Sequence, residues 1–276
     1  MAKTRRASTI TSHTVLTLCA MIAALPIVGV ILVALEPYNS PGTIDAKILA
    51  RATFSTITRA WTDGGFGTAL YSSALITVGT ILLCVVFAVP AAHAFATIRF
   101  PGRNVIFAVF VLGLLLPDAS ILIPLYYESR PLYLTGTPLG VILPSAALSV
   151  AFGVFWMRAV FSGIPPELLS AARVDGATGR QVFWRIELPL ARSGILVLVL
   201  LVFLWTWNSF MLPLVMLTGS STQTVTMALS NFQQSHTTNV PALAAGALFV
   251  CVPVILVYVV AQRHFMRGLI EGGLKV

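Results

Sequence analysis

Six long apolar segments dominate this sequence and restrict what the chain can fold into. Each is long enough to form a helix across a bilayer core, which takes roughly 20 residues. Together they contain one acidic residue, Asp118, one histidine, His93, and no Lys or Arg. The sequence therefore predicts an all-α polytopic membrane protein with six transmembrane helices: Val15–Leu35, Ala69–Ala96, Val105–Tyr127, Leu132–Met157, Gly194–Thr218 and Val240–Gln262.

The low charge content supports a membrane environment. Charged side chains make up 9% of the 276 residues and the mean hydropathy is +0.92, whereas soluble domains carry about 25% charge. The apolar segments do not alternate with polar residues, as spanning strands would. The first segment is longer than the core of a signal peptide and no small-residue cleavage site follows it, so we expect an uncleaved helix.

The basic residues indicate how the chain is oriented. With the amino terminus inside, all but four of the 17 Lys and Arg residues fall on the inner side; the exceptions are Lys47, Arg51, Arg59 and Arg130. Because Lys and Arg are retained in cytoplasmic loops, both termini are predicted to be cytoplasmic, in the cytoplasmic membrane of a bacterium. The lipid bilayer is one expected partner. Nucleic acid is not expected, since no basic stripe on a soluble face is present.

The spans divide the chain into five predicted parts. In order, these are a cytoplasmic tail (1–14), the first helix (15–35), a first external segment (36–68), a core of five helices (69–262) and a second cytoplasmic tail (263–276). Two long connections lie within the core. One is a cytoplasmic loop (158–193), and the other is a polar second external segment (219–239).

The cytoplasmic loop carries strong local signals for two short helices. Pro165 and Pro166 suit the first positions of a helix, and Asp175–Gly176 indicates a turn. Thr178 and Gln181 have the spacing of a capping box for the second helix, which we expect Pro189 to end. This pattern alone leaves two interpretations open: a hairpin lying at the lipid headgroups, or a docking surface for another protein.

The loop also resembles a known family. The stretch Ala171-Ala172-x-x-Asp175-Gly176-Ala177, followed by Phe183, Ile186 and Leu188-Pro189, is similar to the EAA loop of ABC importer permeases. Three further motifs resemble the maltose-type branch of binding-protein-dependent sugar permeases: Trp207-Asn208-x-Phe210-x-x-Pro213-Leu214, Gln262-Arg263 and Gly268-Leu269-x-x-Gly272-Gly273-x-Lys275. The resemblance implies the type I ABC importer permease fold and import of a carbohydrate, such as a sugar, disaccharide or amino sugar, or of glycerol phosphate.

The resemblance implies partners and a role for the loop, called the coupling loop from here on. It implies an ATPase dimer, a second homologous permease and an extracytoplasmic binding protein. The leading Glu of the EAA motif is replaced by Ser170, and Glu167 lies one helical turn earlier. That ATPase contact is therefore expected to be weaker, shifted to Glu167 or supplied by the second permease. The residues expected to dock into the ATPase are Glu167, Ser170, Ala171, Ala172, Asp175, Gly176, Ala177, Phe183 and Ile186.

The energy for transport is expected to come from another subunit. None of the three lysines lies in a phosphate-binding G-x-x-x-x-G-K-[ST] motif, so this chain should bind no cofactor, with ATP and Mg²⁺ on the partner ATPase, and should not be an enzyme. An ion-coupled secondary carrier is the main alternative, for which Asp118 and His93 are the intramembrane candidates. An intramembrane hydrolase is a weaker one, because no G-x-S-x-G context is present.

Two further sites are hypotheses. Asp118, Trp205 and Asn208 are candidates for the translocation pathway, because aromatic rings and an amide suit a sugar. Hydration of Asp118 at the membrane edge and an interhelical hydrogen bond of Asn208 are the alternatives. In the second external segment, Asn231, Gln233, Gln234 and His236 are candidates for contact with the binding protein, and a plain solvated loop is the alternative.

Overall fold

The computed structural model describes residues 2–45, 47–115, 117–233 and 238–273, almost entirely as helix. Within these ranges, extended pairing is limited to one isolated bridge between Gln233 and Thr238, which confirms the all-α prediction. The helices are α1 (Ala2–Ala34), α2 (Ser55–Asp63), α3 (Phe66–Thr97), α4 (Arg103–Gly113), α5 (Asp118–Ser129), α6 (Pro138–Ser162), α7 (Pro166–Val174), α8 (Gly179–Val182), α9 (Leu188–Leu190), α10 (Arg192–Asn208), α11 (Met211–Met216), α12 (Val225–Ser230) and α13 (Val240–Gly273).

Four of the described helices are long and apolar enough to cross a membrane: Ser12–Ala34, Phe66–Thr97, Pro138–Ser162 and Val240–Gln262. A fifth span results if Gly179–Leu190 and Arg192–Asn208, which are bent by 67° relative to each other, are taken together. Many apolar side chains on these helices are exposed, including Leu25, Leu82 and Val260. This is the outward apolar surface that a bilayer or an apolar partner would cover. The count of six spans stays a prediction.

The predicted third span, Val105–Tyr127, is not one continuous helix. It forms two helices, α4, which ends at Gly113, and α5, which begins at Asp118. Pro117 has an extended backbone (φ −65°, ψ 124°) and immediately precedes α5. A proline lacks the backbone donor needed to continue a helix from the preceding turn. Hydropathy does not detect this interruption, because the segments around it are largely apolar apart from Asp118.

Two other predicted spans have different boundaries in the structure. The fourth, expected from Leu132, begins only at Pro138, where the Thr137 side chain accepts a hydrogen bond from the Gly140 amide. Positive φ angles at Tyr133 (57°) and Gly136 (77°) are incompatible with a helix before that cap. The fifth ends at Asn208 and is followed by α11 after Ser209 and Phe210.

The chain divides into two compact units, residues 1–67 with 228–252 and residues 68–227 with 253–276. The second unit contains a large apolar core, with Ala88, Val154 and Leu198 fully buried. Its helices approach closely at small residues. A Cβ atom added to Gly153 of α6 would lie 2.6 Å from the Ala88 Cβ of α3, so only glycine permits this contact, as is common between membrane helices.

The first unit contains a polar network in the first external segment. Glu36 is 1% exposed; its carboxylate lies 3.3 Å from the Arg51 guanidinium and accepts a hydrogen bond from Ser40 at 2.7 Å. The Tyr38 hydroxyl donates to Asp63 at 3.1 Å, and burial, together with this carboxylate, raises the pKa of Tyr38. The tyrosine therefore remains a neutral donor at physiological pH. The segment is thus a folded structure rather than a plain connection.

The predicted topology can be tested by cysteine labelling in a background that lacks Cys19, Cys84 and Cys251. Because the coupling loop and the amino terminus are predicted to be inside, Arg5→Cys and Arg180→Cys should resist an impermeant thiol reagent in intact cells. Ser235→Cys should react. Permeabilised cells serve as the control, since Arg180 lies on an exposed part of the loop and its replacement should then be labelled. Labelling of position 180 from outside would contradict the topology.

Candidate functional site

The first helix of the coupling loop forms as its sequence predicts. Helix α7 runs from Pro166 to Val174, with proline in its first turn and Glu167 near the positive end of the helix dipole. At its other end, the Ala177 amide donates to the Ala172 carbonyl and the Gly176 amide to the Arg173 carbonyl, at 3.0 and 3.1 Å. This pair of bonds is a Schellman motif. Its left-handed residue is Gly176, with φ +84°.

The second helix begins at the predicted capping box and ends later than expected. The Gln181 amide donates to Thr178 Oγ1, and the Thr178 amide donates to the Gln181 side chain at 2.7 Å. The helix then passes into a π-helical turn, Phe183–Glu187, and continues through α9. The expectation that Pro189 ends the helix is wrong. The proline lies in the first turn after the π-helix, where its missing donor costs little.

Helix α7 is exposed over most of its surface. Glu167, Ser170, Ala171 and Val174 are all exposed and occupy positions i, i+3, i+4 and i+7, which share a helix face. Ala172 lies on the opposite side and is buried. The Ser170 hydroxyl donates to the Pro166 carbonyl at 2.9 Å, so this side chain bonds to its own helix. The remaining predicted docking residues range from exposed (Asp175, Gly176) to half-buried (Ala177, Phe183, Ile186).

Four exposed large apolar residues of the loop were not among the predicted docking residues: Leu168, Val174, Trp184 and Leu190. The most exposed are Val174, at 88%, and Trp184, at 58%. Large exposed apolar side chains close to exposed charges are typical of a surface that another protein covers. The sequence offered one signal for Trp184, a tryptophan next to Arg185 in a segment outside the apolar runs.

The loop is joined to the helices of the second unit by specific contacts. The Trp156 indole of α6 donates to the Gly194 carbonyl of α10 at 2.9 Å. Phe183 packs against the apolar core. Glu187, which the sequence interpretation did not single out, is 1% exposed, and its Oε2 lies 2.6 Å from Nδ1 of His93 on α3. The carboxyl-terminal end of the hairpin formed by α7 and α8 is therefore fixed to the core.

The predicted pathway residues lie on two helices of the second unit, α10 and α5. Trp205 and Asn208 are three residues apart on α10 and both exposed, and Trp205 contacts Phe152 edge-to-face at 4.8 Å. The Asn208 amide donates to the Leu204 carbonyl at 2.8 Å. Asp118 begins α5, which packs against α11; its side chain lies outside the described part of the structure. Trp207 is buried and stacks on Phe203.

The second external segment is partly folded. Helix α12 occupies its middle, and the bridge between Gln233 and Thr238 closes a short connection before α13. Asn231 and Gln233 are exposed, whereas Gln234 and His236 lie outside the described residues. Phe232 is buried and stacks on Phe66 at 6.3 Å, and Asn239 donates to the Asn39 side chain at 2.7 Å. The residues that flank positions 234–237 are therefore anchored.

Fold and site together define a helical membrane permease with a projecting coupling hairpin, and comparison with known proteins gives the family. Residues 85–271 match the model of the binding-protein-dependent transport system inner membrane component. The chain belongs to this family of ABC importer permeases, which are multi-pass proteins of the bacterial inner membrane. The family predicted from the resemblance is thereby confirmed.

Curated relatives and a solved structure agree with this assignment. The chain is 32% identical, over 92% of its length and 93% of the relative's, to the trehalose transport system permease protein SugB of Mycobacterium tuberculosis. It is 29% identical, over 95% of its length and 87% of the relative's, to the diacetylchitobiose uptake system permease protein NgcG of Streptomyces coelicolor. A bacterial ABC transporter involved in alginate import has the same fold, with a TM-score of 0.77 and 24% identity over 94% of this chain and 97% of that one.

Proposed function

We propose that this chain is one of two homologous permease subunits in an ATP-driven importer that moves a carbohydrate into the cell. An ATPase dimer binds ATP and Mg²⁺ and drives transport, and an extracytoplasmic binding protein delivers the ligand. The observation that carries the proposal is the projecting hairpin formed by α7 and α8. Its Schellman turn and capping box hold it in one conformation, and its exposed face has the mixture of apolar and charged residues that suits docking to another protein.

The coupling loop transmits the ATPase movement to the membrane helices. Glu167, Ser170, Ala171 and Val174 form the docking face, and Glu167 supplies the carboxylate that Ser170 lacks. A rigid hairpin is required for this role, because a flexible loop would absorb the displacement of the ATPase instead of moving α10 with it. Bound ATP and Mg²⁺ remain on the partner, which supplies the free energy of hydrolysis.

A carbohydrate is the substrate class that the relatives favour, since the named relatives transport trehalose and diacetylchitobiose. This chain contributes the exposed indole of Trp205 and the Asn208 amide oxygen to the wall of the translocation pathway. An aromatic face contacts the CH groups of a sugar, and an amide forms hydrogen bonds with its hydroxyls. The second permease provides the opposite wall. Asn231, Gln233, Gln234 and His236 contact the docked binding protein.

Uptake by a strain that lacks this chain, complemented with the wild-type chain, tests the function. A panel of labelled solutes should contain trehalose, diacetylchitobiose, lactose, an amino sugar and glycerol phosphate. We expect complementation to restore uptake of a carbohydrate. That uptake should cease when ATP is depleted and continue when a protonophore collapses the proton gradient at constant ATP. Uptake that follows the proton gradient instead would favour a secondary carrier.

A further inference from the structure

A buried polar contact connects the coupling loop to a membrane helix. Nδ1 of His93, on α3, lies 2.6 Å from Oε2 of Glu187, the last residue of the π-helical turn. The two atoms are within ion-pair distance, although their alignment is not that of a hydrogen bond, and no described group donates a hydrogen bond to this oxygen. The contact is therefore a close approach of two ionisable groups that lie on different elements.

The surroundings make this contact costly to break. Glu187 is 1% exposed, and its neighbours Phe183 and Leu188 pack against the apolar core. A buried carboxylate without a partner is strongly unfavourable. The His93 ring is held by Phe161 of α6 at 5.7 Å and by Phe183 at 4.6 Å. Thr97 faces it from the next turn of α3, with Oγ1 3.4 Å from the ring nitrogens. The imidazole consequently has little freedom to follow Glu187 unless its helix moves.

The position of Glu187 allows the contact to transmit movement of the loop. The π-helical turn lies between the docking hairpin and the 67° bend into α10. Displacement of α7 and α8 by a partner acts on this turn first. Packing contacts between apolar groups can slide, whereas the attraction within a pair of ionisable groups weakens as soon as the two groups separate. π-Helical turns also occur frequently at functional sites.

We propose that His93 and Glu187 are positioning residues that couple the movement of the coupling loop to α3, so that ATP hydrolysis and solute translocation remain linked. The inference rests on the proposed function, because it assumes that an ATPase moves this loop. Without the contact, the hairpin still docks and the ATPase still turns over, but α3 no longer follows the loop. The measured consequence is a lower number of solute molecules transported per ATP hydrolysed.

The decisive variant replaces both partners, His93→Leu with Glu187→Leu. Replacing a buried pair by apolar residues of similar volume leaves the fold intact, whereas either single leucine variant would leave a polar group unpaired. In proteoliposomes containing the whole transporter, we expect ATP hydrolysis close to the wild-type rate and about fivefold fewer solute molecules transported per ATP. Leu188→Met is the matched control, because it changes packing beside Glu187 without touching the contact, and it should keep the wild-type ratio.

A second variant keeps the test decisive if the double variant does not reach the membrane. Glu187→Gln preserves shape and the ability to accept a hydrogen bond but removes the charge. Because the amide has no ionised form that could attract a protonated His93, we expect about a twofold lower ratio of transport to hydrolysis. A wild-type ratio in either variant would overturn the proposal. Failure of the proposed function would look different, since the wild-type complex itself would then show no transport that depends on ATP.

Discussion

Gly176→Val is expected to abolish transport while leaving insertion of the chain into the membrane unchanged. Gly176 has a φ of +84°, and a Cβ atom added there would meet nothing within 4 Å. The free-energy cost of valine at this position therefore comes from the backbone conformation and not from steric crowding. A β-branched residue such as valine loses about 2 kcal/mol in the left-handed region, which lowers the population of the docking conformation about thirtyfold. The measurements are solute uptake and the amount of the chain in membranes.

A graded series separates this explanation from a loss of side-chain contacts. Gly176→Asn should retain most transport, because asparagine tolerates the left-handed conformation, and Gly176→Ala should be intermediate. Gly179→Val adds the same bulk to the same loop. Gly179 is not among the glycines with positive φ, and an added Cβ atom would also meet nothing within 4 Å there, so this variant should transport well. Equal losses in Gly176→Asn and Gly176→Val would contradict a conformational cause.

The coupling hairpin could be predicted from sequence because its signals are local. The proline pair, the Asp175–Gly176 turn and the Thr178–Gln181 capping box each act within about one helical turn. The structure confirms all three. The prediction that Pro189 ends the helix was wrong because a π-helical turn precedes the proline and changes which backbone amide the proline replaces. No residue pattern in the loop predicts that turn.

The boundaries of the membrane helices were harder to predict. Hydropathy indicates which segments prefer an apolar environment, but it does not indicate which backbone conformation they adopt. Apart from Asp118, the segments on both sides of Pro117 are largely apolar whether or not a helix runs through them, so the interruption between α4 and α5 was missed. The same holds for Leu132–Thr137, where a left-handed Tyr133 delays α6. In each case the segment is apolar enough to cross a bilayer, but its backbone hydrogen bonds do not form one continuous helix.

The contact between His93 and Glu187 could not be predicted from the sequence. The two residues are separated by 94 positions, and each has a plain interpretation by itself, a structural histidine and one acid among several in a polar loop. Only the packing of the π-helical turn against α3 brings them to 2.6 Å. By contrast, the family was predicted correctly from motifs, because these depend on residue identity and spacing rather than on distant contacts.

Replacing the four residues between Gln233 and Thr238 by Gly and Ser should reduce uptake without affecting assembly of the transporter. These residues, Gln234-Ser235-His236-Thr237, carry donors and acceptors and no Lys, Arg, Asp or Glu. Such groups can compete with a binding protein for the hydroxyls of a sugar, and each hydrogen bond lost in this competition is worth about 1 kcal/mol. We expect ligand release from the docked binding protein, and with it uptake, to fall about fivefold, with ATP hydrolysis in the absence of binding protein unchanged.

The design keeps the base of the connection intact. Gln233 and Thr238 form the bridge, Phe232 stacks on Phe66 and Asn239 bonds Asn39, so none of these positions is altered. Ser221→Gly with Thr222→Gly is the matched control, because it removes two polar side chains at the other end of the same segment and should leave uptake near the wild-type rate. Since the proposed role is ligand displacement, the deficit should appear in the maximal rate of uptake when the binding protein is saturated with ligand. Wild-type uptake kinetics in the loop variant would show that residues 234–237 only connect α12 to α13.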